Sequence, residues 1–313
     1  MPAPPPPSTS SPDRLPEHRA GFVSLVGRPN VGKSTLLNRL LGQKLAIVSP
    51  KPQTTRNRIR GIRTRPGSQV VYVDTPGLHP GQGKLGQFMA ATATQALEAV
   101  DAVVLVTDAS RPGPADVPAL EALRAARAPV LLALNKIDRV SDKTRLLPIL
   151  EAYGTRFPFR ELHLISAAKG TGIDGLDQAL LALLPAGPPL YPPDTFTDQP
   201  ETFFVAETIR EKLFLATQAE VPYASAVRVL ELTDRSEQGP LYVRAEIYVE
   251  RPSQKAIVIG AGGAALKRIG QAARRELEAF FGVRVYLDLR VRVRKDWRRD
   301  DRALRELGYQ LTS

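Results

Sequence analysis

The sequence predicts an α/β domain built on a mostly parallel sheet with helices on both faces, followed by a smaller α+β domain. Three observations predict it. The octapeptide GRPNVGKS, Gly27 to Ser34, fits the phosphate-loop pattern G-x-x-x-x-G-K-[ST] without a mismatch, between a short apolar run and a helical pattern. From about Arg19 to Leu184, apolar runs alternate with helix-period segments, as expected of strands joined by crossover helices. Beyond about Glu201 the pattern changes to two strand-like runs, a glycine turn, an amphipathic helix and a period-two strand.

Residues 1–18 are rich in Pro and Ser with hardly an apolar side chain, so they cannot offset the entropy of ordering and are expected to be a disordered tail. In the first domain, 19–184, Phe22 to Val26 reads as a buried strand and Ser34 to Leu41 as the helix after the loop. Val70 to Val73, Ala102 to Val106, Val130 to Leu134 and Leu162 to Ile165 are the further strands. PAGPPLYPPDTFTDQP, Pro185 to Pro200, sustains neither helix nor strand ladder and reads as a linker over 185–200. In the second domain, 201–313, Ile209 to Gln218 is a helix, and Ala226 to Leu232 and Leu241 to Val249 are strands. Ala256 to Ile259 then leads into GAGG at Gly260 to Gly263. The following helix has an apolar face of Leu266, Ile269, Ala273, Leu277 and Phe280. In the last strand Val283, Val285, Leu287, Leu289, Val291 and Val293 share one face, with Arg284, Tyr286, Asp288, Arg290, Arg292 and Arg294 on the other.

A formal charge of +11 points to a polyanionic partner, either nucleic acid or an anionic membrane surface. The absence of cysteine excludes disulfides and thiolate zinc sites. No apolar run reaches the length of a membrane span and no signal-peptide core is visible, so the chain is expected to stay inside the cell.

In the phosphate loop the backbone of Gly27, Arg28, Pro29, Asn30, Val31 and Gly32 curls so that its N–H groups, which Pro29 lacks, face phosphate oxygens. Lys33 reaches the β- and γ-phosphates, Ser34 offers a hydroxyl to Mg²⁺, and Thr35 completes the helix start. Such a loop serves ATP and GTP alike, so base recognition must come from elsewhere. NKID, Asn135 to Asp138, follows a strand at the sheet edge where ligands of such folds bind. The Asp138 carboxylate can accept from the N1–H and 2-amino group of guanine, which adenine lacks. Lys136 lays its stem over the base and Asn135 braces the loop. In SAAKG, Ser166 to Gly170, the N–H of Ala167 or Ala168 can meet the guanine O6. DTPG supplies Asp74, Thr75, Pro76 and Gly77: a carboxylate for a Mg²⁺-bound water and a glycine amide for the γ-phosphate. QTTRNR, Gln53 to Arg58, offers Thr54 and Thr55 as Mg²⁺ ligands in a loop ordered by triphosphate, with Thr55 favoured. His79 reads first as a solvated switch-loop side chain, His163 as a core histidine, and His18 as part of the tail.

In the second domain, a G-x-x-G turn at a helix start beside a sheet is the KH device, in which glycines let single-stranded nucleic acid approach the backbone. Gly260, Ala261, Gly262 and Gly263 form the turn. Lys255 precedes it, and Lys267, Arg268, Arg274 and Arg275 crowd the next helix. From Arg251 onward basic residues outnumber acidic ones by about two to one, enough for a phosphate-binding groove.

The nucleotide segments resemble the G1 to G5 set of translation-factor-class GTPases. With REKLF at Arg210 to Phe214, VPYA at Val221 to Ala224, QKAIVIGAGG and the Trp297 region, the chain resembles the Era family of bacterial ribosome-assembly GTPases from about Gly21 to Tyr309. The resemblance implies a P-loop GTPase domain followed by a type II KH domain. It implies GTP or GDP with Mg²⁺ as ligands and GTP hydrolysis as the activity. It also implies KH binding to the single-stranded 3′ end of small-subunit ribosomal RNA, favoured by GTP, a role in assembly of the 30S subunit, and peripheral association with the inner membrane. Nothing demands an oligomer. Where Ras-like enzymes carry a water-orienting glutamine this chain has Leu78. Relatives with asparagine at the place of Asn30 bind K⁺ beside the phosphates, so the resemblance implies slow, K⁺-stimulated hydrolysis drawing on Asn30, Lys33, Thr55 and Gly77. Two departures stand out: Ala261, where relatives usually carry a basic residue, and Asp296, where they often carry asparagine. A membrane-associated or tRNA-modification GTPase sharing only the first domain is the competing class, and the basic G-x-x-G segment argues against it.

Overall fold

The computed structural model describes residues 18–78, 83–234 and 239–309. The expectations for residues 1–17 and for His79 lie outside the described residues.

The first domain carries a six-stranded sheet in the order β2-β3-β1-β4-β5-β6. Its strands are β1 (Arg19–Val26), β2 (Ile59–Arg65), β3 (Ser68–Asp74), β4 (Ala102–Asp108), β5 (Val130–Asn135) and β6 (Glu161–Leu164). All neighbours run parallel except β2, which pairs antiparallel with β3 through a tight turn at Gly67. Helices α1 (Lys33–Leu41), α2 (Gly83–Gln95), α3 (Val117–Ala122), α4 (Leu146–Gly154) and α5 (Ile173–Leu183) cover the sheet. The period of two along each strand sends alternate side chains to opposite faces. Val104, Leu131 and Ala133 pack against Leu36, Leu37 and Leu40 of α1 and Leu176 and Leu180 of α5. Val103, Leu105 and Leu132 pack against Ala93 of α2, Leu120 of α3 and Leu146 of α4.

The second domain carries the sheet β7-β8-β9, formed by β7 (Ala226–Thr233), β8 (Leu241–Val249) and β9 (Val285–Val293), with β7 antiparallel and β9 parallel to β8. Helices α6 (Glu201–Ala216), α7 (Pro252–Ile259) and α8 (Ala264–Phe281) pack on one face of it, and α9 (Asp301–Glu306) closes the described chain. Ile269, Ala273 and Leu277 of α8 are buried against Val243, Ala245 and Ile247 of β8 as their spacing predicts, whereas Phe280 stays 41% exposed, stacked on Phe204.

Several expectations need correction. Helix α6 starts eight residues before Ile209, because Phe204 and Val205 belong to the same buried stripe. Ala256 to Ile259 is the end of a helix, α7, opened by Pro252 at its first turn. Strand β2, IRGIRTR, was not predicted: as an edge strand it needs only one buried face and reads as a mixed polar segment. His18 is no tail residue, since its Nδ1 lies 2.8 Å from the Gly187 carbonyl. His163 lies on the exposed edge strand β6, 3.1 Å from Glu161, and is not a core histidine.

Residues 185–200 form neither helix nor strand, yet they strap across the first domain. Gln69, fully buried, accepts from the N–H groups of Leu190 and Tyr191 at 2.7 and 2.8 Å and donates to the Tyr191 carbonyl at 2.9 Å. Ile62 N–H donates to the Phe196 carbonyl at 2.8 Å, and Phe196 packs on the core.

Candidate functional site

The loops leaving the C-terminal ends of β1, β3, β4 and β5, with residues 47–55, line one cleft of about 570 Å³, the position expected for ligands of an open α/β sheet; the loop after β6 joins it through hydrogen bonds to Asn135 and Asp138. Its floor is the phosphate loop. Gly27 has φ +144, and a Cβ there would stand 2.3 Å from the Val106 carbonyl oxygen. Gly32 has φ +103, and a Cβ there would stand 2.4 Å from Asn135 Nδ2. Both positions require glycine. Gly77 is equally constrained, its missing Cβ lying 2.6 Å from Pro29 N, so DTPG is pressed against the loop.

Lys33 is buried and donates to the carbonyls of Gly27 at 3.0 Å and Arg28 at 3.2 Å. Burial pushes its ammonium down to about 8, with Asp74 opposing. Burial likewise raises the Asp74 carboxyl, against the pull of Lys33 and hydrogen bonds from Ser34, Thr75 and Thr55. A cleft that disfavours both of its own charges gains from a bound polyanion paired with a cation. The oxygens for such a cation are grouped. Ser34 Oγ donates to Asp74 Oδ2 at 2.6 Å and lies 2.9 Å from Thr55 Oγ1, which is 3.4 Å from Asp74 Oδ2. Asp74 Oδ1 is buried with no hydrogen-bond partner among the described residues. Two hydroxyls and a carboxylate with an orphaned oxygen suit a hard cation such as Mg²⁺. Thr54 turns its hydroxyl to the Lys51 carbonyl at 2.8 Å, so Thr55, not Thr54, joins this group.

At the other end of the cleft Asn135 ties two loops together, donating to the Val31 carbonyl at 2.8 Å and accepting from Ala167 N–H at 2.9 Å. That second bond engages the Ala167 amide and leaves Ala168 as the candidate for a base carbonyl. Ser166 donates to Asp138 Oδ1 at 2.5 Å, orienting a carboxylate that remains exposed. Lys136, at φ +63, ion-pairs with Asp108 at 2.7 Å. Asp108 was missed in the sequence; its only signal was a polar residue ending an apolar strand. The Arg28 guanidinium is engaged by Asp116 at 2.9 Å and the Arg111 carbonyl at 2.7 Å. Asn30, at φ +65, donates to the Pro50 carbonyl at 2.9 Å. Thr75 donates to the Leu25 carbonyl at 2.9 Å and Leu78 packs into the core, so neither side chain is directed into the cleft.

The glycine turn lies in the second domain between α7 and α8. Gly260 is fixed by packing, since a Cβ would meet that of Ala265 at 2.7 Å. Gly262 and Gly263, at φ +56 and +80, face open space beside the exposed Ala261. Lys267, Arg268, Arg274 and Arg275 recur at seven-residue steps and form one exposed face of α8. Among the described residues Arg274 alone of these four is ion-paired, 3.8 Å from Glu278. Lys255 is half-buried on α7. Asp296 adopts φ +52, a conformation that asparagine and aspartate tolerate best, so its departure from asparagine has a backbone reason.

The chain matches the 50S ribosome-binding GTPase family over residues 22–136 and the KH domain family over residues 220–298. It is 50% identical to GTPase Era of Geobacter metallireducens over 292 residues, covering 93% of this chain and 98% of that protein. The chain belongs to the Era family of GTPases. A further Era relative, from Halothermothrix orenii, is 45% identical over 94% of this chain and 99% of its own length. Among solved structures, a variant of Aquifex aeolicus Era bound to GDP·AlF₄⁻ superposes with a TM-score of 0.89 at 40% identity, covering 94% of this chain and all of that one. Era in complex with MgGDPNP and nucleotides 1506–1542 of 16S ribosomal RNA superposes with the same TM-score at 39% identity and the same coverage. As in the Era family, this chain joins a parallel-sheet GTPase domain to a KH domain. Among the described residues no helix is long and apolar enough to cross a membrane.

Proposed function

We propose that this Era-family chain is a GTP-binding and GTP-hydrolysing switch whose KH domain binds the single-stranded 3′ end of small-subunit ribosomal RNA during assembly of the 30S subunit. The observation that carries the reading is the grouping of Lys33, Ser34, Thr55 and Asp74 at the phosphate loop, with an exposed Asp138, oriented by Ser166, on the loop that brings Lys136 to the same cleft. Lys33 would exchange its loop carbonyls for the β- and γ-phosphates, and the Gly77 amide would meet the γ-phosphate. Asp138 would accept from N1–H and the 2-amino group of guanine, with the Ala168 amide at O6. Ser34, Thr55 and Asp74 would hold Mg²⁺, which supplies charge neutralisation to the triphosphate when bound. Asn30 would face K⁺ after releasing the Pro50 carbonyl. Leu78, packed in the core, cannot orient water as a glutamine would at that position, which supports the reading of slow hydrolysis stimulated by K⁺. On the RNA side Gly262 and Gly263 admit the sugar–phosphate backbone, with Lys255 and the basic face of α8 beside it. The division at residues 185–200, a monomeric state, and a cytoplasmic location with peripheral contact to the inner membrane complete the proposal. The test is a pair of binding measurements. Labelled GTP should resist competition by ATP, and a single strand from the 3′ end of the small-subunit RNA should bind more tightly with GDPNP than with GDP. Equal competition by ATP overturns the base assignment, and failure to bind that strand in either state overturns the ribosomal one. Equal turnover in K⁺ and Na⁺ removes the cation from the mechanism.

A further inference from the structure

REKLF, VPYA and the Trp297 region belong to neither the nucleotide cleft nor the glycine turn, yet the fold gathers all three around Arg56 of the switch loop. Arg56 is 3% exposed. Its guanidinium donates to the carbonyls of Ser225 at 2.7 Å, Tyr223 at 3.1 Å and Pro222 at 3.2 Å, and to the Tyr309 hydroxyl at 3.3 Å. The rings of Phe214, Trp297 and Tyr309 lie 5.7, 5.9 and 6.0 Å from it. All four acceptors are neutral, and burial pushes the guanidinium down from its ordinary value. Next to Thr55 on the other side, the Thr54 carbonyl accepts from Arg210, which is 1% exposed and clasped by both oxygens of Glu207. Lys51 donates to the carbonyls of Phe214 and Thr217 at the end of α6. Every one of these anchors comes from the second domain.

Residues 51–58 have no regular structure of their own. Fixing the backbone of each costs on the order of 1–2 kcal/mol, so what orders them must be external. Two buried arginines are an expensive way to do it, and Nη1 of Arg210 is buried with no hydrogen-bond partner among the described residues. A local rule broken in this manner marks a functional constraint. Thr55 stands between the two anchored residues, its hydroxyl 2.9 Å from Ser34.

We propose that the second domain acts as a positioning element for the nucleotide site: Arg210 holding Thr54, and the aromatic socket holding Arg56, fix the Thr55 hydroxyl toward Ser34 and Asp74. Capture of Mg²⁺ with a triphosphate then depends on domain docking, whereas GDP binding does not. Arg210 and Arg56 are positioning residues that act through Thr55. The inference rests on the GTP-binding reading above.

The test uses the full chain and measures GDP and GDPNP affinity across a Mg²⁺ titration, together with the thermal midpoint. Arg210→Lys keeps the charge but loses the planar fork that meets both Glu207 oxygens and the Thr54 carbonyl together. It should raise the Mg²⁺ needed for half-maximal GDPNP binding about tenfold, equivalent to about 1.4 kcal/mol. GDP affinity should stay within about twofold of the unsubstituted chain. Combined with Thr55→Ala it should add no further loss, since both act on one group. Tyr309→Phe, a milder change, should shift the Mg²⁺ titration in the same direction, and it decides the matter alone if Arg210→Lys lowers the thermal midpoint out of range. Equal weakening of GDP and GDPNP, an unchanged Mg²⁺ requirement, or full additivity with Thr55→Ala each overturns the inference. An unsubstituted chain that binds no GDP overturns the nucleotide reading instead, and this is seen before any variant is compared.

Discussion

In the proposed reading Asp138 would recognise the base and Thr55 would hold the cation, and their neighbours prepare them differently. Ser166 orients the Asp138 carboxylate while leaving it exposed to a base. Asp138→Asn removes the charge and one acceptor facing guanine, and hydrogen bonds to charged groups contribute about 1.5–3 kcal/mol each. GTP affinity should therefore fall by about a hundredfold, with ATP binding unchanged in a competition assay. Thr54→Ala should leave the Mg²⁺ dependence of GDPNP binding as it is, because that hydroxyl is turned to the Lys51 carbonyl; Thr55→Ala should not. Lys33, Ser34, Asp74 and Asp138 could be nominated from the sequence because each sits in a contiguous segment whose proposed chemistry follows from its residue types. The choice of Thr55 over Thr54 and of Ala168 over Ala167 was less so. It depends on Arg210 and Asn135, which reach across 156 and 32 residues of chain to set which group faces the cleft.

Among the elements, the glycine turn stands before α8 as its sequence implied, whereas the strap differs most from its sequence reading. Gly263 faces open space at φ +80, so a side chain there meets no protein atom, and the left-handed backbone costs an aspartate about 1–2 kcal/mol. Gly263→Asp should abolish binding of the RNA strand by setting a carboxylate against phosphate, with GTP affinity retained; normal RNA binding would show that the turn is not the clamp. Gly260→Ala should lower the thermal midpoint instead, because its Cβ meets that of Ala265. The strap over residues 185–200 was read only as a linker, since proline forbids regular structure but not hydrogen bonding to a partner as distant as Gln69. Gln69→Ala orphans the Leu190 and Tyr191 amides and should cost about 2–3 kcal/mol in denaturant unfolding. Strand β2 escaped notice for a related reason: edge strands are identified by their neighbour, and β3 supplies it.

At the scale of the molecule, the two domains are joined by more than the strap. Leu85 and Met89 of α2 share an apolar cluster with Trp297, Leu304, Leu307 and Tyr309, and Lys44 ion-pairs with Glu211 and Glu276 of the second domain. Leu304→Ala should destabilise the chain by about 2–4 kcal/mol and separate the melting of the two domains in calorimetry. Binding of the RNA strand should weaken with salt; if four basic side chains neutralise phosphates, log affinity against log salt has a slope of about −3. That the chain has two domains, and that one is basic, could be read from composition and periodicity. How they dock could not, because the interface is assembled from α2, α6, the switch loop and the C-terminal segment, none of which signals its partner. The chain contains one tryptophan, and it is Trp297, fully buried with the Arg56 guanidinium 5.9 Å from its ring centroid. Its emission should therefore report on the switch loop from within, and a change of intensity on exchange of GDP for GDPNP is the expected signal, with no dye attached.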